Sequence, residues 1–301
     1  MRPLRFLSLL ALHALSVLGL ALASPAEARA ADPAVPGEIL LKLRTADALP
    51  ALLSKYSLTL AARFGARPIF RVQVIGAASV EKTLDALAAE PAVLIAERNF
   101  VHSSPEARRN LPWTIGAASA YQAQWAPDAL RLPQAQALAT GRGVRVAVLD
   151  TGVDFTHPAL AGRLLPGRDF VDGDLDASEA GTPANLGFGH GTHVAGLVAL
   201  VAPAAQIVPL RVLDAEGNGN AWVLAEALLH AVDPDGNPAT DDGAHVINRS
   251  LGSLSRTHLF KAVSLLVHLQ CRPTRAMLRW TSPTPAMTAT ASAGVLSKAR
   301  W

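Results

Sequence analysis

The clearest indication of the fold lies in Val146-Ala-Val-Leu-Asp-Thr-Gly152. Four apolar residues precede an acidic residue, a pattern typical of a buried parallel strand that ends at a carboxylate, and the strand is predicted at 143–149. Catalytic and ligand-binding groups of open α/β sheets lie beyond the carboxyl ends of the strands, so Asp150 stands where a functional group is expected. Taken alone, the stretch supports at least equally well an aspartate that caps the next element.

Strand-like and helix-like stretches alternate after this one. Apolar runs predict further strands at 205–213 and 244–248, and helical patterns cover 191–201 and 221–232. Strands that alternate with helices favour a parallel sheet with helices on both faces. The predicted fold class is therefore α/β.

A second informative stretch reads Gly189-His-Gly-Thr-His-Val-Ala-Gly196. His190 stands at the start of the predicted helix, 40 residues after Asp150, and is a candidate general base oriented by that carboxylate. His193 follows three residues later, but no glutamate stands in the arrangement of a metalloprotease, so no metal site is assigned. Because a lone histidine is more often structural than catalytic, the assignment needs a further motif.

Two further stretches predict a place for an extended ligand. One is Val246-Ile-Asn-Arg-Ser-Leu-Gly252, whose end would expose an edge that pairs with a peptide by β-augmentation. The other is Glu216-Gly-Asn-Gly-Asn220, a turn that presents backbone groups, although a plain loop explains it equally well. Arg249 departs from the pattern, because an apolar residue is expected in a buried strand and an unpaired arginine there would be costly.

Residues 31–104 precede this region and predict a small α+β domain. Ser79 is expected to cap a helix, and the residues at 103–110 are polar and are interpreted as a linker. The expected elements are strands at 38–44, 69–74 and 92–101 and a helix at 79–89.

The first thirty residues read as an export signal, assigned to 1–30. Arg2 and Arg5 form a basic start, an apolar run extends to Ala23, and Ala28-Arg-Ala30 supplies a small-residue cleavage site. A membrane anchor is disfavoured, because the apolar run is short for a span and a cleavage site follows it. The expected location is therefore secreted or periplasmic.

Charge and composition change sharply near residue 254. Residues 254–301 hold 7 of the 27 lysines and arginines and none of the 24 acidic residues, so the remaining 253 residues carry a formal charge of −4. The net charge of +3 thus comes from a short tail and is weak evidence for nucleic-acid binding. The single cysteine, Cys271, excludes an internal disulfide framework.

Together these stretches resemble the subtilisin-like serine proteases, the subtilases. The segments similar to the family's aspartate motif, histidine motif and groove strands are 146–154, 190–196, 209–214 and 246–252. Their order and spacing are highly specific, and the likeness covers residues 115 to 253. It implies the N-terminal half of a subtilisin-like catalytic domain at 105–253. It also implies that 31–104 is a propeptide, which in this family acts as a folding chaperone and a tethered inhibitor.

The resemblance implies a role for each matching residue. Asp150 would orient His190, which would take the proton from a nucleophilic serine during peptide-bond hydrolysis through an acyl-enzyme. No cofactor is required, and the implied partners are a polypeptide substrate and the chain's own propeptide, with no nucleic acid and no stable membrane anchor. The residues that would line the substrate backbone are Ser250, Leu251 and Gly252 on one wall and Gly217, Asn218 and Gly219 on the other.

Two acidic runs raise the question of calcium, Asp172-Gly-Asp-Leu-Asp176 and Asp233-Pro-Asp-Gly-Asn237. Calcium binds several clustered oxygens, whereas solvated acidic loops are the favoured interpretation of both runs. Because subtilases often bind structural calcium, a calcium ion stays open, with no ligands assigned.

Two motifs of the family are absent from the 301 residues. One is an apolar strand ending in Ala-Gly-Asn, whose asparagine donates to the oxyanion, and the other is Gly-Thr-Ser-Met-Ala, which supplies the nucleophile. Ser282 is the nearest match, but it lacks the surrounding residues and lies only 92 positions after His190, so no nucleophile is identified. Because loss of a triad member costs about 10⁴- to 10⁶-fold in rate, the chain is expected to be inactive.

The atypical tail, 254–301, is interpreted as a shifted reading frame or the product of a truncated gene. Three hypotheses stay open. The first is an exported subtilase precursor with an altered chain. The second is a secreted pseudo-protease that binds peptides or inhibits a protease. The third is a chain that does not fold stably, because apolar faces of an incomplete sheet stay uncovered.

Overall fold

The protein is described by a computed structural model that covers residues 33–110, 121, 123–237, 239–253, 257–270 and 276–279. The predicted export signal at 1–30 and Ser282 lie outside the described residues. No helix in the described part of the chain is long and apolar enough to cross a membrane.

The N-terminal segment (residues 33–104) forms an antiparallel sheet with strand order β2-β3-β1-β4. The sequence predicted three of these strands and one helix, but it did not predict α1 or β2. Strand β2 is an edge strand with one buried residue, Leu58, so its apolar pattern is weak. In chain order, the elements to residue 110 are β1 (Ala34–Leu43), a 3₁₀ turn (Ala46–Ala48), α1 (Leu49–Lys55), β2 (Leu58–Arg63), β3 (Ile69–Val74), α2 (Val80–Ala88), β4 (Val93–Ser103) and α3 (Pro105–Arg109).

Both faces of this sheet are covered, as the alternation along β1 requires. Ile39 and Leu41 point into a core that the sheet shares with α1 and α2. Leu40, between them, joins a different core that contains Trp222. The Phe64 ring meets Trp222 edge to face, with the ring centroids 5.4 Å apart. The N-terminal segment is therefore packed against the rest of the protein by apolar contacts.

The second region is an α/β sheet with all strands parallel, in the order β10-β9-β5-β7-β6. The predicted fold class is confirmed: α6 packs on one face of β5 through Val146 and Val148, and α7 and α8 pack on the other through Ala147 and Leu149. The elements are α4 (Trp125–Ala129), α5 (Leu132–Leu138), β5 (Arg145–Asp150), a 3₁₀ turn (Pro158–Leu160), β6 (Arg168–Asp169), α6 (His190–Val201), β7 (Gln206–Arg211), β8 (Asn218–Asn220), α7 (Ala221–Val232), β9 (Val246–Arg249), α8 (His258–Gln270) and β10 (Ala276–Arg279).

Helix α8 and strand β10 lie within the 254–301 tail. Leu259, Val263 and Val267 of α8 enter the core that holds Trp222, and β10 pairs in parallel register with β9. Arg249 is 6% exposed, and its guanidinium carbon lies 4.4 Å from the centre of the Phe260 ring on α8. A cation–π contact therefore accommodates the arginine where the sequence led us to expect an apolar residue.

Two polar side chains of β4 bind the N-termini of helices in the α/β region. The buried carboxylate of Glu97 accepts hydrogen bonds from the backbone N–H groups of His258 (2.7 Å) and Leu259 (2.8 Å) at the start of α8. Asn99 Oδ1 accepts a bond from the backbone N–H of Trp222 (3.1 Å) near the start of α7. A helix N-terminus favours such acceptors because its first N–H groups have no partner within the helix.

The Glu97 contact gives a stability prediction. Glu97→Ala should lower the free energy of unfolding by about 1–3 kcal/mol, because it leaves one buried and one partly buried N–H group at the start of α8 without an acceptor. Glu97→Gln, which keeps one oxygen acceptor and the shape, should lose less. Urea unfolding of the full chain measures both variants. Stability equal to that of the unaltered chain in Glu97→Ala would contradict the assigned contact.

Candidate active site

Asp150 and His190 come together at the carboxyl end of the central strand. Asp150 is the last residue of β5, and His190 is the first residue of α6, as predicted. Asp150 Oδ1 lies 2.5 Å from His190 Nδ1, and the two residues are 1% and 5% exposed. Because a carboxylate only accepts, Nδ1 carries the proton, which leaves Nε2 facing away from the aspartate as the working nitrogen.

Two glycines allow the aspartate and histidine motifs to touch. A Cβ atom on Gly191 would lie 2.0 Å from the carbonyl oxygen of Gly152. The backbone N–H of Gly191 donates to Thr151 Oγ1 at 2.9 Å. Gly152 itself has a φ of 104° and would clash with Ser178 if it carried a Cβ. Close backbone approach therefore fixes the distance between Asp150 and His190.

Glu179 also ties the two motifs together, and the sequence did not reveal it. Its two carboxylate oxygens each accept a 2.5 Å hydrogen bond, one from the Thr151 hydroxyl and one from the Thr192 hydroxyl. Burial raises the pKa of Glu179, and the nearby Asp150 raises it further, while the two threonine bonds oppose the shift. The residue lies in an irregular loop with no pattern around it, so only the folded structure identifies it.

The expected linker at 103–110 is wrong, because a strand end and a short helix occupy this segment. Ser103 belongs to β4, and buried Ser104 caps the short helix α3 by accepting a hydrogen bond from the N–H of Ala107 (3.2 Å). The polar serines misled the prediction because their backbone groups pair with another part of the chain. As a result, α3 begins beside the Asp150–His190 pair.

Helix α3 brings the carboxylate of Glu106 to the second nitrogen of His190. Glu106 Oε2 lies 3.3 Å from His190 Nε2, where triad chemistry requires the nucleophile's hydroxyl. Burial lowers the pKa of His190, but Asp150, Glu106 and Glu179 together raise it to about 9. At neutral pH the ring is therefore protonated and cannot take a proton from a nucleophile.

The end of β4, residues 102–104, lies between the two predicted walls of the substrate groove. Ser103 exchanges backbone hydrogen bonds with Gly252, at 3.0 and 3.1 Å, and the Ser104 N–H donates to the Gly217 carbonyl at 2.9 Å. On the β8 side, His102 pairs with Gly219, and the Ser103 hydroxyl donates to Asn218 Oδ1 at 2.7 Å. The chain's own residues 102–104 thus lie where the sequence led us to expect a bound peptide.

Not all predicted groove residues contact this strand in the same way. Leu251 is buried in the core beneath the groove, and the Ser250 hydroxyl accepts a hydrogen bond from Asn248 Nδ2 at 3.2 Å. Gly217 has a φ of 76°, and a Cβ there would lie 2.8 Å from the Ser104 hydroxyl. Glycine at 217 is therefore required both for the backbone conformation of this wall and for the close approach of Ser104.

The two acidic runs differ in their surroundings. Asp172 forms an ion pair with Arg211, which also pairs with buried Asp169, so the first run already contacts a cation of the protein. In the second run, Asp233 and Asp235 are joined by Asp242 from farther along the chain, and carboxylate oxygens of the three lie within 4.8 Å of one another. Burial raises the pKa of Asp233, as do these two neighbouring carboxylates. Calcium binding stays an open question, with no ligands assigned, and solvated loops remain the favoured interpretation of both runs.

Comparisons with known proteins agree with this geometry. The model of the Subtilase family matches residues 141–293, and that of the Fervidolysin N-terminal prodomain matches residues 22–99. The crystal structure of fervidolysin from Fervidobacterium pennivorans, a keratinolytic enzyme related to subtilisin, is similar in fold. Its TM-score is 0.61 at 22% identity, over 83% of this chain and 40% of that one.

Two curated relatives match in sequence. Thermitase from Thermoactinomyces vulgaris is 41% identical over 139 residues, which cover 43% of this chain and 44% of thermitase. A thermophilic serine proteinase from Bacillus sp. (strain AK1) is 35% identical over 193 residues, which cover 60% of this chain and 43% of the relative. The chain thus spans less than half the length of these relatives. With the family match over 141–293 and the prodomain match before it, the chain belongs to the subtilase family.

Proposed function

We propose that the chain is the precursor of an exported subtilisin-like serine endopeptidase, which the N-terminal segment inhibits by filling the substrate groove. The observation that carries the proposal is the pairing of residues 102–104 with Gly217, Gly219 and Gly252, directly beside the Asp150–His190 pair. A strand added between two groove walls is how an extended polypeptide binds. The substrate class is therefore an extended polypeptide.

In the complete reaction, each residue has a defined task. Asp150 holds the imidazole by Nδ1, and His190 accepts the hydroxyl proton of a serine at Nε2 and returns it to the leaving amine. The walls at 217–219 and 250–252 align the substrate backbone. Export follows from the basic and apolar pattern of residues 1–30.

The 301-residue chain does not itself catalyse this reaction, because it contains no Gly-Thr-Ser-Met-Ala motif to supply the nucleophile. A second candidate function is a secreted, non-enzymatic protein that binds peptides. One observation favours it: a carboxylate, Glu106, meets His190 Nε2.

Sequencing the coding DNA from codon 240 onward, and translating all three reading frames through and beyond the codon for Trp301, separates the two candidates. An Ala-Gly-Asn strand and a Gly-Thr-Ser-Met-Ala helix in another frame are expected for the protease precursor. Their absence from every frame would favour the peptide-binding protein.

A fluorophosphonate probe tests the activity of the chain itself. We expect no labelling at any pH, because such probes react with an activated serine. Labelling that His190→Ala abolishes would overturn the proposed inactivity and show that the chain carries an activated nucleophile.

A further inference from the structure

The side chain of His102 is held in a pocket between β4 and α8. It is 4% exposed, and its ring centroid lies 6.2 Å from that of Phe260. Neither ring nitrogen has a hydrogen-bond partner among the described residues. The pocket therefore holds the imidazole by packing and not by hydrogen bonding.

Two arginines act on the His102 side chain in this pocket. Arg249 stacks on the same Phe260 ring, and Arg108 of α3 approaches Gly252 at the groove edge. Burial lowers the pKa of His102 to about 3, and both arginines contribute to the shift. The nearest carboxylate on the strand, Glu97, is bonded to the start of α8, where it also meets exposed His258 at 3.3 Å.

Residue 102 occupies a position that a bound polypeptide would also fill. The backbone of His102 pairs with Gly219, and the next two residues, Ser103 and Ser104, bond to Gly252 and Gly217. The His102 side chain therefore lies where a polypeptide bound in the same register would place one of its own side chains. In a buried site, where the effective dielectric constant is low, a fixed guanidinium repels another cation and attracts a carboxylate much more strongly than in water.

We propose that Arg249 is a specificity-determining residue, which makes the pocket occupied by His102 exclude cationic side chains and accept acidic ones in a bound polypeptide. The proposal rests on the proposed function, because it takes the 102–104 strand as occupying the substrate's place. Phe260 supplies the apolar wall, and Arg249 supplies the charge.

The test replaces the ligand residue in the full chain and reads out how firmly the strand is bound. His102→Lys, His102→Glu and His102→Leu are each made with Arg249 and with Arg249→Met, and hydrogen exchange gives the protection of the Ser103 N–H. With Arg249, we expect the lysine variant to be at least tenfold less protected than the leucine variant. With Arg249→Met, the leucine and lysine variants should have nearly equal protection of the Ser103 N–H. The glutamate variant should then lose protection relative to the leucine variant.

Arg249→Lys is the matched control, since it keeps the charge and should keep the rejection of lysine. If Arg249→Met does not unfold cooperatively in urea, Arg249→Gln replaces it. Equal lysine-to-leucine ratios with and without the arginine would overturn the specificity assignment alone. An unprotected Ser103 N–H in the unaltered chain would instead overturn the occupied groove, and with it the proposed function.

Discussion

Acidification from pH 7.5 to 4.5 should lower the folding equilibrium constant, the ratio of folded to unfolded protein, about a hundredfold through His102 alone. The folded state holds the pKa of this imidazole at about 3, because burial and the charges of Arg249 and Arg108 oppose protonation. In the unfolded chain the group titrates near its ordinary value of 6.5. The unfolded state therefore binds the extra proton between these two values, and the stability present above pH 6.5 is lost as the pH falls.

Urea unfolding at a series of pH values measures the effect, and His102→Leu isolates it. Leucine can pack against the Phe260 wall of the pocket and cannot be protonated. The variant should therefore lack this part of the acid dependence, while other titrating groups act on both proteins alike. Arg249 and Arg108, the two charged groups that act on residue 102, are both retained in the variant. Identical pH dependence in the two proteins would show that His102 is not buried in the groove.

The second large effect has the opposite sign and belongs to His190. Its pKa is raised to about 9 in the folded chain, so the stabilisation is full below pH 6.5 and is lost as the pH rises through 9. The difference between this pKa and the ordinary value of 6.5 corresponds to a folding equilibrium constant about three-hundredfold larger below pH 6.5 than above pH 9. Because the two histidines act in opposite directions, their combined contribution to the free energy of unfolding is largest near pH 6.5.

Glu106→Gln tests the origin of this proton affinity. Removing the carboxylate at Nε2 should lower the pKa of His190, as followed by NMR titration of the imidazole, with His190→Gln identifying the signal. Asp47→Asn, a change at an exposed carboxylate in the N-terminal segment, should leave the titration unchanged. An imidazole that titrates near 6.5 in the unaltered chain, or one insensitive to Glu106→Gln, would exclude Glu106 as one of the carboxylates that, with Asp150, raise the pKa of His190.

Strong apolar periodicity made the α/β region predictable. The strand expected at 143–149 is Arg145–Asp150, and the helices expected at 191–201 and 221–232 are His190–Val201 and Ala221–Val232. These elements are buried on one or both sides, so their sequences report their structure directly. The approach of Asp150 to His190 followed from the same pattern, since a strand end and a helix start meet at one edge of the sheet.

Other contacts between distant segments had no signal in the sequence. Asn218-Gly-Asn220 has no strand propensity and becomes β8 only because β4, 115 residues away at the Ser103–Asn218 contact, supplies its hydrogen-bond partners. Glu106 and Glu179 are ordinary polar residues in the sequence, and their positions beside the histidine motif arise from how α3 and the loop pack. In the same way, Arg249 looked out of place until Phe260 was known to lie against it.

A single cross-link tests most directly whether the chain fills its own groove. Ser103 and Gly252 exchange both backbone hydrogen bonds, a pairing in which the Cα atoms are about 5.5 Å apart, within the range that a disulfide spans. A Cβ on Gly252 would meet nothing closer than the Arg108 guanidinium at 3.8 Å, so a cysteine fits there.

The measurement is the mass and thiol content of Ser103→Cys/Gly252→Cys, made with Cys271→Ser, after mild oxidation of the folded chain. We expect an intramolecular disulfide in nearly every molecule of the double variant, whereas either single variant keeps one free thiol. Two thiols that remain free and react with a thiol reagent in the folded double variant would contradict the occupied groove.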